Sequence, residues 1–97
     1  MKPHKYQIFK IKDKQFIVKL DLDPLTNKYE YHMYIRHLVT PQQAIAAYFL
    51  KTKETYNKKY NRYELYSAKL DITVYYTYLK EKDIFLITAF YQGDLYE

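Results

Sequence analysis

The chain has 97 residues, no cysteine and a net charge of +5, which predict a single domain over residues 1–97 that favours polyanionic partners. The lack of cysteine excludes a disulfide framework and thiolate catalysis. No apolar run is long enough to span a bilayer, and the N-terminal residues lack the apolar centre of a signal peptide, so we expect a cytoplasmic protein with no membrane partner.

Two alternating runs near the N-terminus predict a β-hairpin. Residues 6–11 and 15–22 place apolar side chains at every second position, and Lys12-Asp13-Lys14 separates the two runs. A turn is expected over residues 23–27, where a proline ends the strand and Asn27 can take a left-handed conformation.

A third strand is predicted over residues 28–36. On an extended chain, its side chains divide into a buried set and an outward set. The buried set is Tyr29, Tyr31, Met33 and Ile35, and the outward set is Glu30, His32, Tyr34 and Arg36.

A helix is predicted from about Pro41 to Lys59. Thr40 and Gln43 form a capping-box pattern around Pro41, which is a favoured first helical residue. An apolar stripe spaced by three and four residues would face the core, and Asn61 would end the helix. The stripe consists of Ile45, Tyr48, Phe49, Thr52 and Tyr56.

Three more strands are predicted at about 63–68, 70–79 and 84–91. The last is nearly all apolar, so we expect it to be central and covered on both faces. The summed prediction is an α+β fold: an antiparallel sheet in β-β-β-α-β-β-β order with one helix (about 41–59) packed on one face.

His32, Arg36 and His37 supply the groups needed to cleave RNA: a base for the 2′-hydroxyl proton, a cation for the phosphate and an acid for the leaving oxygen. His32 and His37 could serve as general base or acid, Arg36 could hold a phosphate, and the Thr88 hydroxyl could donate to it if it faced the histidines. The alternatives are a half-exposed histidine pair at a strand end and a threonine that only favours β structure. Whether His37 shares a face with His32 depends on where the strand turns.

A basic stripe with an adjacent aromatic residue predicts nucleic-acid binding, although a solvated helix face explains it equally well. Its residues are Lys51, Lys58, Lys59, Arg62 and Tyr63. The only glycine, Gly93, gives no phosphate-binding loop, so no cofactor is expected. The spacing of His32 and His37 does not predict a metal site.

Two stretches resemble the barnase–EndoU–colicin–RelE-like group of small ribonucleases, which includes phage-borne and toxin members. They are Tyr31–Ala47, YHMYIRHLVTPQQAIAA, and Asp71–Tyr91, DITVYYTYLKEKDIFLITAFY. The resemblance implies metal-independent RNA cleavage, with His32, Arg36 and His37 in the group's basic cluster and Thr88 as its closing-strand threonine.

The sequence therefore leaves three functional hypotheses. The first is a metal-independent endoribonuclease of toxin or phage type, which would also have a protein antidote as partner. The second is a non-catalytic inhibitor or adaptor, encoded by a phage or mobile element, that binds a target protein through a tyrosine-rich surface; the chain has 14 Tyr. The third is nucleic-acid binding without cleavage.

Overall fold

The protein forms one seven-stranded sheet with two helices, as described by a computed structural model for residues 5–80 and 82–93. The α+β prediction is confirmed. In chain order the elements are β1 (Lys5–Ile11), β2 (Lys14–Asp23), β3 (Lys28–Tyr31), α1 (His32–His37), α2 (Pro41–Phe49), β4 (Lys53–Asn57), β5 (Arg62–Ser67), β6 (Ile72–Lys80) and β7 (Asp83–Tyr91).

The main path of the sheet runs β1-β2-β7-β6-β5-β4, and β3 pairs with the end of β2. The predicted N-terminal hairpin is confirmed, and the turn residue Asn27 has a positive φ of 59°. The sheet is mixed rather than antiparallel, because β2 and β7 run parallel over Gln15–Val18 and Asp83–Leu86. Beyond Leu86, β7 has a register irregularity and loses β2 as a partner.

The predicted strand over residues 28–36 is wrong in its second half. Strand pairing ends at Tyr31, because β3 pairs only with the last four residues of β2. Residues 32–37 then form the short helix α1, which contacts β7, β2 and β3 where β2 and β7 no longer pair. Met33 is buried there, and Leu38 ends the helix in the left-handed conformation.

The second helix begins as predicted but ends ten residues early. The Thr40–Gln43 capping box forms with both of its hydrogen bonds, whereas the helix ends at Phe49 instead of Lys59. Residues 53–57 are strand β4, because they pair with β5 along the edge of the sheet. Asn61 has a left-handed conformation in the β4–β5 turn rather than at a helix end. The observed order is therefore β-β-β-α-α-β-β-β-β.

The core lies between α2 and one face of the sheet, which we call the covered face. Alternate residues of β2, β5, β6 and β7 point into it, and α2 adds small and aromatic side chains. Its members include Phe16, Val18, Leu65, Val74, Tyr76, Ile84, Leu86, Ala44, Ile45 and Tyr48. Tyr56, predicted to be in the core stripe, is instead 48% exposed on β4.

Candidate nucleic-acid interface

The opposite face of the sheet, which we call the open face, carries charged, hydroxyl and aromatic side chains that could bind a ligand. Of the two helices in the described residues, α2 packs on the covered face, and α1 contacts β7 and β2 at one end of the open face. Strand β7 is central, as predicted, and none of its residues is exposed. Its neighbouring residues Ala89 and Phe90 point to opposite faces and are 0% and 7% exposed, so the last part of the strand is covered on both faces. The open face includes Tyr6, Ile8, Lys10, Ile17, Lys19, Asp21, Arg62, Glu64, Tyr66, Thr73, Tyr75, Thr77, Phe85, Thr88 and Phe90.

His32 is held at one end of the open face by a carboxylate. Its Nδ1 is hydrogen-bonded to Oδ2 of Asp21, and Lys19 Nζ lies 3.5 Å from Oδ1 of the same carboxylate. Burial raises the pKa of Asp21, but the hydrogen bonds and charges of His32 and Lys19 outweigh it and hold that pKa below its usual value. Asp21 is therefore ionised at neutral pH.

An ionised Asp21 determines which ring nitrogen of His32 can accept a proton. The carboxylate only accepts hydrogen bonds, so Nδ1 carries the hydrogen, and Nε2 is the basic nitrogen of the neutral ring. The side chain of His32 is 27% exposed. This arrangement gives His32 the geometry of a general base whose orientation is fixed by Asp21.

Arg36 lies one helical turn after His32 and is exposed. Positions four residues apart share a side of a helix, so Arg36 remains a neighbour of His32 even though neither is on a strand. Tyr34 no longer points the same way, because two residues along a helix correspond to about half a turn.

His37 and Thr88 belong to a different part of the open face. The His37 ring lies 5.6 Å from the ring of Phe90, and Thr88 is two residues earlier on the same strand. The Thr88 hydroxyl is buried and has no hydrogen-bond partner among the described residues. The structure thus brings His32 together with Arg36, and His37 near Thr88, rather than gathering all four around one exposed point.

An aromatic row connects His37 to the basic residues of the β4–β5 turn. Phe90 contacts Tyr75 at 5.3 Å between ring centroids, and the Arg62 guanidinium lies 3.9 Å from the centre of Tyr75. Arg62 also lies 4.6 Å from the Tyr60 ring, over which Lys59 Nζ sits at 5.3 Å. The row crosses the sheet from β7 to β5 and ends in two cations.

Glu64 orients the Arg62 side chain through a hydrogen bond to only one of its guanidinium nitrogens. Arg62 Nε donates to Glu64 Oε2 at 2.8 Å, and Asn57 donates to the same oxygen. The two terminal guanidinium nitrogens point away from Nε and have the fork geometry that suits a phosphate. Arg62 is therefore both oriented by Glu64 and chemically able to bind a backbone phosphate.

The predicted basic stripe is divided between the two faces of the sheet. The stripe required one continuous helix, but residues 53–67 form a hairpin whose successive side chains alternate between faces. Arg62 lies on the open face and Lys59 near it, Lys58 lies in the exposed turn, and Lys51 and Tyr63 lie on the covered face.

Several residues of this interface are absent from the sequence-based predictions. Asp21, Tyr60, Tyr75 and Phe85 lie on four different segments, and contacts between distant segments have no local signal. Only alternation could have identified them, because Lys19 and Asp21 occupy the polar positions of β2, and Tyr75 alternates with buried Val74.

A cleft also lies at the β3–α1–α2 junction. It is an open cleft of about 280 Å³ lined by Glu30, Tyr31, Tyr34, Thr40 and Gln42. Of the candidate catalytic residues, none lines it. The histidines instead face Asp21 and Phe90 on the open face.

Comparison of the chain with protein-family models, curated proteins and solved structures finds no match. The ribonuclease resemblance therefore stays a prediction. Within residues 5–80 and 82–93, no helix has the length and apolar character needed to cross a membrane. The same residues contain no group of three His, Asp or Glu side chains arranged to bind a metal.

Proposed function

We propose that the protein binds single-stranded RNA on the open face of the sheet. The observation that carries the proposal is the continuous row from His37 through Phe90, Tyr75, Arg62 and Tyr60 to Lys59. Phe90 is only 7% exposed and supports Tyr75, whereas Tyr75 and Tyr60 keep exposed ring surface for unpaired bases. The adjacent cations can contact backbone phosphates. The net charge of +5 agrees with this partner.

A second aromatic pair extends this surface toward β1. Tyr6 is 50% exposed, and its ring contacts that of Phe85 at 5.9 Å. Ile8 and Ile17 lie beside them in the paired strands. A strand of RNA laid across the open face would meet these rings at one side and Arg62 at the other.

The binding proposal has a matched pair of variants for its test. Tyr6→Ala removes a ring from the open face and Tyr56→Ala removes an equally exposed ring, 48% against 50%, from the covered face. A base stacked on an aromatic ring contributes about 1–3 kcal/mol, so Tyr6→Ala should weaken binding of labelled oligouridylate by roughly fivefold or more, whereas Tyr56→Ala should not. Equal effects of the two variants would contradict the proposal.

Metal-independent cleavage of that RNA is a second candidate function, favoured by the Asp21–His32 pair. Nε2 of His32 would take the proton of a 2′-hydroxyl, whose oxygen would form a bond to the adjacent phosphorus as the bond from phosphorus to the 5′-oxygen breaks. The leaving oxygen would take a proton from water, and Arg36 would stabilise the charged phosphate. The products would be a 2′,3′-cyclic phosphate and a free 5′-hydroxyl.

Cleavage is tested by incubating purified protein with end-labelled RNA in EDTA. His32→Ala should abolish product formation and Asp21→Asn should slow it, whereas Tyr56→Ala, purified in the same way, should cleave as fast as the unmodified protein. If the protein retains RNA at low salt but does not cleave it, the protein binds RNA without catalysing its cleavage. Cleavage unaffected by His32→Ala would exclude His32 as the base.

A further inference from the structure

The covered face carries a second aromatic surface beyond the end of α2. Because the helix stops at Phe49, it leaves rings on β4, β5 and β6 partly uncovered. Phe49, Tyr56 and Tyr78 are 38%, 48% and 40% exposed. We call this surface the aromatic–lysine patch and define it as Tyr48, Phe49, Tyr56, Tyr63, Tyr78, Lys12, Lys14 and Lys51.

The rings of the patch are fixed against one another. Tyr63 meets Tyr56 and Tyr78 edge to face, at 4.9 and 5.5 Å between ring centroids. Beneath them Tyr63 stacks on the buried ring of Tyr76, whose hydroxyl donates to Glu54 at 2.6 Å. Such packing holds the side chains in place before a partner arrives, which reduces the entropy lost on binding.

Three ammonium groups lie over the ring faces at one end of the patch. Lys12 Nζ is 4.8 Å from the centre of Phe49, and Lys51 and Lys14 are 4.3 and 5.8 Å from the centre of Tyr48. The carboxylate of Glu54 is already bound by Lys51 and Tyr76. The patch therefore presents lysine cations to the solvent beside exposed apolar ring surface.

From these contacts we infer that the patch docks an acidic segment of a partner protein. Carboxylates of the segment would meet Lys12 and Lys14, since Lys51 is already paired with Glu54, and its aliphatic side chains would cover the rings of Tyr56 and Tyr78. Tyrosine is favoured at the centre of protein interfaces because it combines apolar area with a hydroxyl.

The inference is independent of RNA binding, because the two surfaces lie on opposite faces of the sheet. The probe is a fluorescent peptide of about ten residues with alternating Glu and Leu, and a Lys–Leu peptide of equal length is its control. Lys12→Glu combined with Lys14→Glu should weaken Glu–Leu binding about tenfold or more by fluorescence anisotropy. Lys28→Glu combined with Lys69→Glu, two exposed lysines outside the patch, should not.

Tyr56→Ala provides a second patch variant at an exposed edge position, where the fold tolerates truncation. It should weaken the Glu–Leu peptide and leave oligouridylate binding unchanged, whereas Tyr6→Ala should have the opposite effects. The inference is overturned if the Glu–Leu peptide does not bind, if it binds the patch variants as well as the unmodified protein, or if the patch variants lose oligouridylate instead. Failure of oligouridylate to bind at all would remove only the RNA proposal.

Discussion

The two faces of the sheet differ in what their side chains do. On the covered face, Val18, Val74 and Leu86 are fully buried under α2, and they hold the fold together. On the open face, their immediate neighbours along the chain are half-exposed, and Asp21, Arg62 and the two histidines lie there or at its end. Because side chains alternate along each strand, one strand supplies core residues to the covered face and candidate binding residues to the open face.

The difference between the two faces is tested most directly on β7, where Leu86 and the larger Phe85 point to opposite faces. Leu86→Ala leaves a cavity in the buried core and should lower the free energy of unfolding by about 2–5 kcal/mol. Phe85→Ala removes a half-exposed ring and should lower it by much less, despite the larger side chain. Urea denaturation of the two variants measures the difference, and equal losses would mean that the open face is covered in solution.

Removal of the cap of α2 tests how far the covered face depends on that helix. Thr40→Ala deletes the side-chain oxygen that accepts from the Gln43 backbone N–H at 3.2 Å, and should lower the free energy of unfolding by about 1 kcal/mol. Thr40→Ser keeps the hydroxyl and is the matched control. If Thr40→Ala unfolds at the same urea concentration as the unmodified protein, the cap does not support the core.

A stabilising change is expected between the two helices. Leu38 is 66% exposed and has a φ of 60°, a conformation that costs a side chain other than glycine about 1 kcal/mol. Leu38→Gly should raise the melting temperature, with a net gain of roughly 0.5 kcal/mol after the larger freedom of unfolded glycine is subtracted. Leu38→Ala is the control, because alanine retains the strain, and a gain in that variant alone would contradict the explanation.

The smallest expected effect on stability comes from Asp21 and depends on pH. Its pKa is lower in the folded protein than the usual 3.8, so the folded state favours the ionised carboxylate. This contribution is fully present above the usual pKa and is lost as the pH falls through the lower folded value. Because the pair is half-exposed, we expect a few tenths of a kcal/mol. By urea denaturation, the difference in free energy of unfolding between the unmodified protein and Asp21→Asn should become smaller below pH 4. A difference that grows below pH 4 would contradict this explanation.

Local patterns in the sequence were sufficient to predict the N-terminal hairpin, the start of α2 and the strands after residue 61. Alternation and a capping box are encoded within a few neighbouring residues, so they do not depend on the rest of the fold. The end of α2 was predicted wrongly because Lys51–Lys59 has a helical spacing of basic residues. Pairing of β4 with β5 decides that segment, and no pattern within it reveals the partner strand.

The candidate site was predictable only in part for the same reason. His32 and Arg36 were chosen for their chemistry and remain neighbours, although on one turn of helix instead of one side of a strand. The role of Asp21 depends on the end of β2 lying beside the start of α1, which is a contact between segments 11 residues apart. The row through Tyr75 and Arg62 likewise requires the β5–β6 pairing.

The central claim, that RNA binds the open face, is tested most directly by titrating isotope-labelled protein with oligouridylate and following backbone amide chemical shifts. The account predicts shifts concentrated at Lys19, Arg62, Tyr75, Phe85 and His37, with little change at Tyr56 and Tyr78. Shifts confined to Tyr56, Tyr78 and Lys51 would place the RNA on the covered face and contradict the account, as would a titration in which no amide moves.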